Sequence, residues 1–188
     1  MTSFELVFSL FGLLLGLALA EVLGGFGTAV QLRKKIHIGW LTPLLGALVA
    51  LDITSFWIVA WRMRDLVPAI YVTLVGGLVI IGLYYLIARI AFPHDWDDWP
   101  DLDAYYFENR KWVLGGAMTC NVLAMVALVA LGAEPLQGTL TRWSMLLFIP
   151  AVIAAMFVKD KRANIALLAL LVVQYPLVPT LNLMGVGR

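Results

Sequence analysis

The chain has 188 residues, 62% hydrophobic and only 13% charged, with a net charge of +1. Soluble domains are about 45–50% apolar and about 25% charged, so this composition excludes a water-soluble globule. The near-neutral balance gives no electrostatic case for nucleic acid as a partner.

A membrane span needs roughly 20 mainly apolar residues. Six segments meet or approach this: 4–30, 40–61, 67–92, 112–131, 143–158 and 163–183. The expected fold is an all-α integral membrane protein, one bundle of six transmembrane helices spanning residues 1–188. The first segment could be mistaken for a secretory signal, because Ala18 and Ala20 have the Ala-x-Ala spacing of a cleavage site. No basic residue precedes its apolar run, and Glu5 stands where one belongs, so a retained first helix is expected.

Helix 1 carries small residues at four-residue spacing: Gly12, Gly16, Ala20, Gly24 and Thr28. Lipid supplies little hydrophobic drive between helices, so such a ridge reads as close packing inside the bundle. Otherwise it is a seam between copies in a homo-oligomer. Gly76-Gly77 and Gly115-Gly116 offer similar points of close approach in helices 3 and 4. Glu21 of helix 1 and Arg89 of helix 3 fall near the same level and are a candidate ion pair, although a long arginine there also snorkels to the interface.

The stretch 93–111, PHDWDDWPDLDAYYFENRK, is expected to be an acidic, aromatic loop lying along the interface, its rings in the headgroup zone. Asp101 is placed to cap a short helix leading into span 4. The acids could answer the basic residues of 31–39 in a layer of salt bridges. Asp95, Asp97, Asp98, Asp101 and Asp103 are dense in oxygen ligands and form a possible cation-binding loop. The spacing of an EF-hand is missing, and a solvated structural loop is the plainer reading. Span 5 is short at 143–158 and contains Pro150, and helix 6 contains Pro176 and Pro179.

Lysine and arginine orient the bundle. With the N-terminus outside, Arg33, Lys34, Lys35, Arg89, Arg110, Lys111, Lys159, Lys161 and Arg162 lie inside; Arg62, Arg64, Arg142 and Arg188 lie outside. Nine against four gives both termini outside. The absence of long soluble loops suits a bacterial inner membrane.

Depth follows from a rise of 1.5 Å per residue. Asp52 lies about 18 Å, Gln174 about 16 Å and Asn121 about 13 Å from the inner ends of their helices. Ser55 and Tyr84 fall nearby. Together they form a candidate polar layer near the middle of a hydrocarbon core about 30 Å thick. A mid-span carboxyl is costly and marks a functional site by default, with Asn121 and Gln174 as its expected partners. A carboxyl that gains and loses a proton there suits a small proton- or ion-coupled carrier or channel. As polar glue between helices, the same residue suits an accessory or scaffold subunit of a larger membrane complex. It also suits a binder of a lipid-soluble ligand, with Tyr84-Tyr85 and Tyr105-Tyr106 as candidate walls.

No cofactor is indicated. Both histidines, His37 and His94, fall in expected loops, which argues against a bis-His haem, and no lysine lies within an expected span, which argues against a retinal Schiff base. One cysteine, Cys120, excludes an intrachain disulfide and a cysteine-based metal cluster. No catalytic set is visible, since Ser9, Ser55 and Ser144 have no base nearby and no hydrolase, zinc or P-loop motif is present.

Overall fold

The computed structural model describes residues 3–62, 66, 70–133 and 139–184. Within them lie six helices: α1 (Ser3–Leu32), α2 (Leu41–Arg62), α3 (Tyr71–Ile90), α4 (Leu102–Ala130), α5 (Thr139–Phe157) and α6 (Lys161–Leu183). A single 3-10 turn, Trp96–Asp98, precedes α4. All six helices are long and apolar enough to cross a membrane. Helix is what such sequences must form in lipid, because each backbone N–H and C=O is then satisfied within its own segment. The first residues of the expected third span, 67–69, lie outside the described residues, as do Arg64 and Arg188.

Two boundaries differ from expectation. Helix α4 begins at Leu102, ten residues before the expected span, because Asp101 caps it by accepting from the Asp103 N–H at 2.9 Å. The stretch 93–111 is therefore half helix. Several of its aromatic rings pack on the protein: Tyr105 and Tyr106 are buried, Trp99 meets Tyr105 edge-on at 5.0 Å, and Trp96 stacks on Phe92. Helix α5 starts at Thr139 and has 19 residues, so it reaches crossing length; Pro150 sits inside it without ending it. The far end of α4 closes in a Schellman turn. There Ala133 N–H reaches the Leu128 carbonyl, Gly132 N–H reaches that of Val129, and Gly132 takes φ +77°.

The helices pack in the ring order α1, α3, α4, α5, α6, α2, and α2 closes the ring on α1. Helix α2 also crosses the interior to touch α3 and α4. The α2–α4 seam thus divides the bundle into two four-helix halves that share it: α1–α3 on one side and α5–α6 on the other. The connections 33–40, 91–101 and 158–160 gather at one end, called here the charged end.

The face of α1 that packs carries Leu15, Ala18, Val22 and Ala29, all buried, with Gly25 between them admitting the Phe92 ring. This is not the expected ridge. Of the ridge glycines, only Gly12 meets a neighbour, Trp57, while Gly16 and Gly24 face open space; Ala20 is exposed. The four-residue ridge and the true face lie side by side on the helix, and the bulky residues of α2 and α3 chose the second. Of the two glycine pairs, Gly77 admits Phe11 and Gly116 admits Ile87; Gly76 faces open space and Gly115 touches only Met156.

Candidate functional site

Asp52 sits on the α2–α4 seam with 1% of its surface exposed. Asn121 of α4 donates its side-chain N–H groups to both carboxyl oxygens at 3.0 Å. Tyr175 of α6 donates to Oδ1 at 2.7 Å, and Tyr84 of α3 donates to Oδ2 at 3.2 Å. One carboxyl therefore joins four helices, with a donor from each half of the bundle and one across the seam. Aromatic neighbours hold both phenols: Phe56 lies 5.5 Å from Tyr84, and Phe148 meets Tyr175 edge-on at 6.5 Å.

Of the residues expected in this layer, the structure brings together Asp52, Asn121 and Tyr84. Ser55 instead donates to the backbone carbonyl of Asp52 within α2 at 2.9 Å. Gln174 points elsewhere and accepts from Ser144 at 3.4 Å. The partner that sequence reasoning missed is the next residue, Tyr175. Neighbours on a helix share a depth but differ by about 100° in direction, and depth alone was counted.

A second polar node lies at the charged end. Asp103, 3% exposed, receives the backbone N–H groups of Trp40 (3.1 Å) and Leu41 (2.9 Å), so an acid on α4 caps α2. Its other oxygen meets the Lys161 ammonium of α6 at 2.5 Å. Thr42 adds a bond to the Leu102 carbonyl, and His37 pairs with residues 100 to 102 through two backbone bonds. Gly39 runs here at φ +62°, and a Cβ on it would stand 2.2 Å from the Asp103 carboxyl. His37 also meets Asp101 at 3.1 Å. Burial opposes the Asp101 charge, but His37, the Asp103 N–H and Lys161 outweigh it and hold the carboxyl below its usual range.

The loop contact expected between 31–39 and the acids is thus made by His37 and backbone, not by Arg33, Lys34 or Lys35. Ligand atoms of His37, Asp101 and Asp103 come within 4.8 Å of one another. Of these atoms, Asp101 Oδ1 takes His37 and the Asp103 N–H, and the Asp103 carboxyl takes the cap bonds and Lys161. Asp95, Asp97 and Asp98 are exposed around the 3-10 turn and do not belong to it.

Arg110, counted from sequence as a loop charge, is buried. It donates to the Ala155 carbonyl at 3.0 Å, to the Val158 carbonyl, and to Asn164 at 3.2 Å, and lies 4.8 Å from the Phe107 ring centre. Asn164, itself fully buried, accepts from Tyr106 at 2.7 Å and donates to the carbonyls of Val158 and Asp160. A cation placed on the last carbonyls of α5 is where the helix dipole favours it. Tyr105 treats α3 similarly, bonding the carbonyls of Ile90 and Phe92.

Glu21 and Arg89 do form an ion pair, at 3.2 Å. Tyr85 also donates to Glu21, and Arg89 meets His94 at 2.9 Å. These residues line a groove of about 610 Å³ between α1 and α3. A separate cleft of about 490 Å³ opens among α1, α2, α3 and α4, away from the charged end. Among its described lining residues only Thr73 has a polar side chain; Phe11, Phe56, Gly76, Ile80 and Leu123 form much of the wall.

Compared with protein-family models, with curated proteins and with solved structures, the chain matches none.

Proposed function

We propose that this chain is a non-catalytic protein of the bilayer that holds a lipid-soluble molecule with a long hydrocarbon chain in the apolar cleft among α1–α4. The observation that carries the reading is the cleft itself. Its volume falls within the range of about 300–1,000 Å³ common to small-molecule sites, and its described lining residues are apolar apart from Thr73. Val72, Val79 and Val126 at its rim are exposed, so a ligand dissolved in the bilayer has a lateral way in. Phe56 lines the cleft and rests against Tyr84, so the Asp52 cluster backs the wall. In this reading Asp52 is a joint and not a transport site. A carrier needs water at the carboxyl, whereas both Asp52 oxygens are already held by protein donors and the side chain is enclosed.

The same proposal places the protein in a bacterial inner membrane, both termini outside and the charged end in the cytoplasm, on the lysine and arginine count. Four exposed tryptophans support two interfacial bands: Trp40 and Trp112 toward the charged end, Trp61 and Trp143 toward the other.

A side chain on Gly76 projects into open space, whereas one on Gly77 collides with Phe11. Gly76 lines the cleft, so Gly76→Phe should fill it and still fold. Native mass spectrometry of protein extracted gently from its own membrane should find an apolar small molecule at one per chain, absent from Gly76→Phe. A bare wild-type chain, or a molecule retained equally by the variant, overturns the reading.

A further inference from the structure

The groove between α1 and α3 carries a second inference, independent of the apolar cleft. We propose that it binds one aminophospholipid, with the phosphate on Arg89 and His94, the ammonium on Glu21, and an acyl chain along Ala20 and Leu17. The groove joins two features that differ in chemistry. One is a pair of opposite charges side by side, Glu21 and Arg89, both partly exposed. The other is the small-residue stripe of α1, on which a Cβ at Gly16 or Gly24 would meet nothing within 4 Å. From the ion pair the groove continues toward the middle of the bundle past Ala20 and Leu17, as an acyl chain does from its headgroup, while Gly24 lies one turn nearer the charged end.

The donors and acceptors fit a zwitterion. Both bonds to Glu21 end on Oε1, which leaves Oε2 open to a third donor. Arg89 has five N–H groups, and the contacts to Glu21 and His94 leave others for a phosphate. His94 meets the guanidinium through Nε2, so that nitrogen accepts and Nδ1 carries the proton, a further donor for the phosphate. Arg89 lies in the last turn of α3, and Trp96 closes the groove beside it, at the depth where headgroups lie. A choline headgroup has no N–H for Glu21, and a glycerol headgroup has no cation. The site should therefore prefer ethanolamine to both.

The test uses the full chain, stripped of endogenous lipid in detergent and titrated with phosphatidylethanolamine, phosphatidylcholine or phosphatidylglycerol, with native mass spectrometry as the readout. The wild type should bind one phosphatidylethanolamine about tenfold more tightly than either other lipid, the worth of one charge-assisted hydrogen bond. Glu21→Gln should erase the preference over phosphatidylglycerol. A Cβ at Gly24 meets nothing within 4 Å and Gly24 lines the groove beside Glu21, so Gly24→Leu should fold normally, crowd the headgroup and lose all three lipids. Equal binding of the three lipids by the wild type, or wild-type binding by Gly24→Leu, overturns the proposal. Gly76→Phe should bind phosphatidylethanolamine as the wild type does, which keeps this site distinct from the apolar cleft.

Discussion

Asp52 contributes to the fold through what it receives. Removing a buried acceptor strands its donors, and each unsatisfied buried donor costs about 1–3 kcal/mol. Interhelical hydrogen bonds in membrane proteins average only about 0.6 kcal/mol, because the unfolded chain in lipid finds other partners. The lower figure suits Tyr175→Phe, which removes one bond and leaves no orphan; the higher suits Asp52→Ala, which strands the Tyr84 and Tyr175 hydroxyls and leaves Asn121 only its bond to the Ala117 carbonyl. Unfolding in detergent titrations should show a loss of about 0.5–1 kcal/mol for the first and about 2–4 kcal/mol for the second. Asp52→Asn keeps an acceptor of the same shape and should stay within about 1 kcal/mol of wild type. Wild-type stability in Asp52→Ala would remove the carboxyl from its role as a joint. The sequence alone carried the depth of this residue and of Asn121 and Tyr84. It did not carry direction around α6, which is why Gln174 stood in for Tyr175.

Among the elements, the charged end shows how helices can cap one another. Helix α2 begins on an acid of α4, α3 ends on a tyrosine of α4, and α5 ends on an arginine of α4. The first three turns of α4 thus serve three other helices, and each side chain must lie within the protein to do so. That stretch reads as loop by composition, since acids and aromatic rings dominate it. Its helical character lay in the spacing of Leu102, Tyr105, Tyr106, Arg110 and Val113, all buried on one face. The six apolar runs were legible because lipid leaves them one conformation; α4's start was not, because protein contacts made it. Gly39 tests this end. Gly39→Ala combines strain at φ +62° with a methyl group against the Asp103 carboxyl. The strain alone is about 1–2 kcal/mol, and losing the cap on Trp40 and Leu41 adds about 1 kcal/mol. Gly132→Ala has the same strain with nothing nearby, at φ +77°. Thermal unfolding should find Gly39→Ala the more damaging of the two; equal losses would mean that the Asp103 cap contributes nothing.

At the scale of the molecule, the proposed orientation puts the charged end in the cytoplasm and the other end outside. Asp97 is exposed at the charged end, and Leu66 is exposed at the other. Cys120 is fully buried, so a cysteine introduced at either position should be the one that reacts. With a membrane-impermeant thiol reagent on intact cells, Leu66→Cys should label and Asp97→Cys should label only after permeabilisation. The reverse pattern would invert the bundle.

The four-helix joint at Asp52 also has a history during synthesis. Tyr175 lies 123 residues beyond the acid it bonds. At about 5–20 residues per second, α6 leaves the ribosome roughly 6–25 s after α2. For that interval a newborn α2 stands in the membrane with its carboxyl only partly enclosed, first by α3 and then by α4. A chain stalled before α6 lacks the Tyr175 hydroxyl, so its Asp52 carboxyl holds one bond fewer than in the finished molecule.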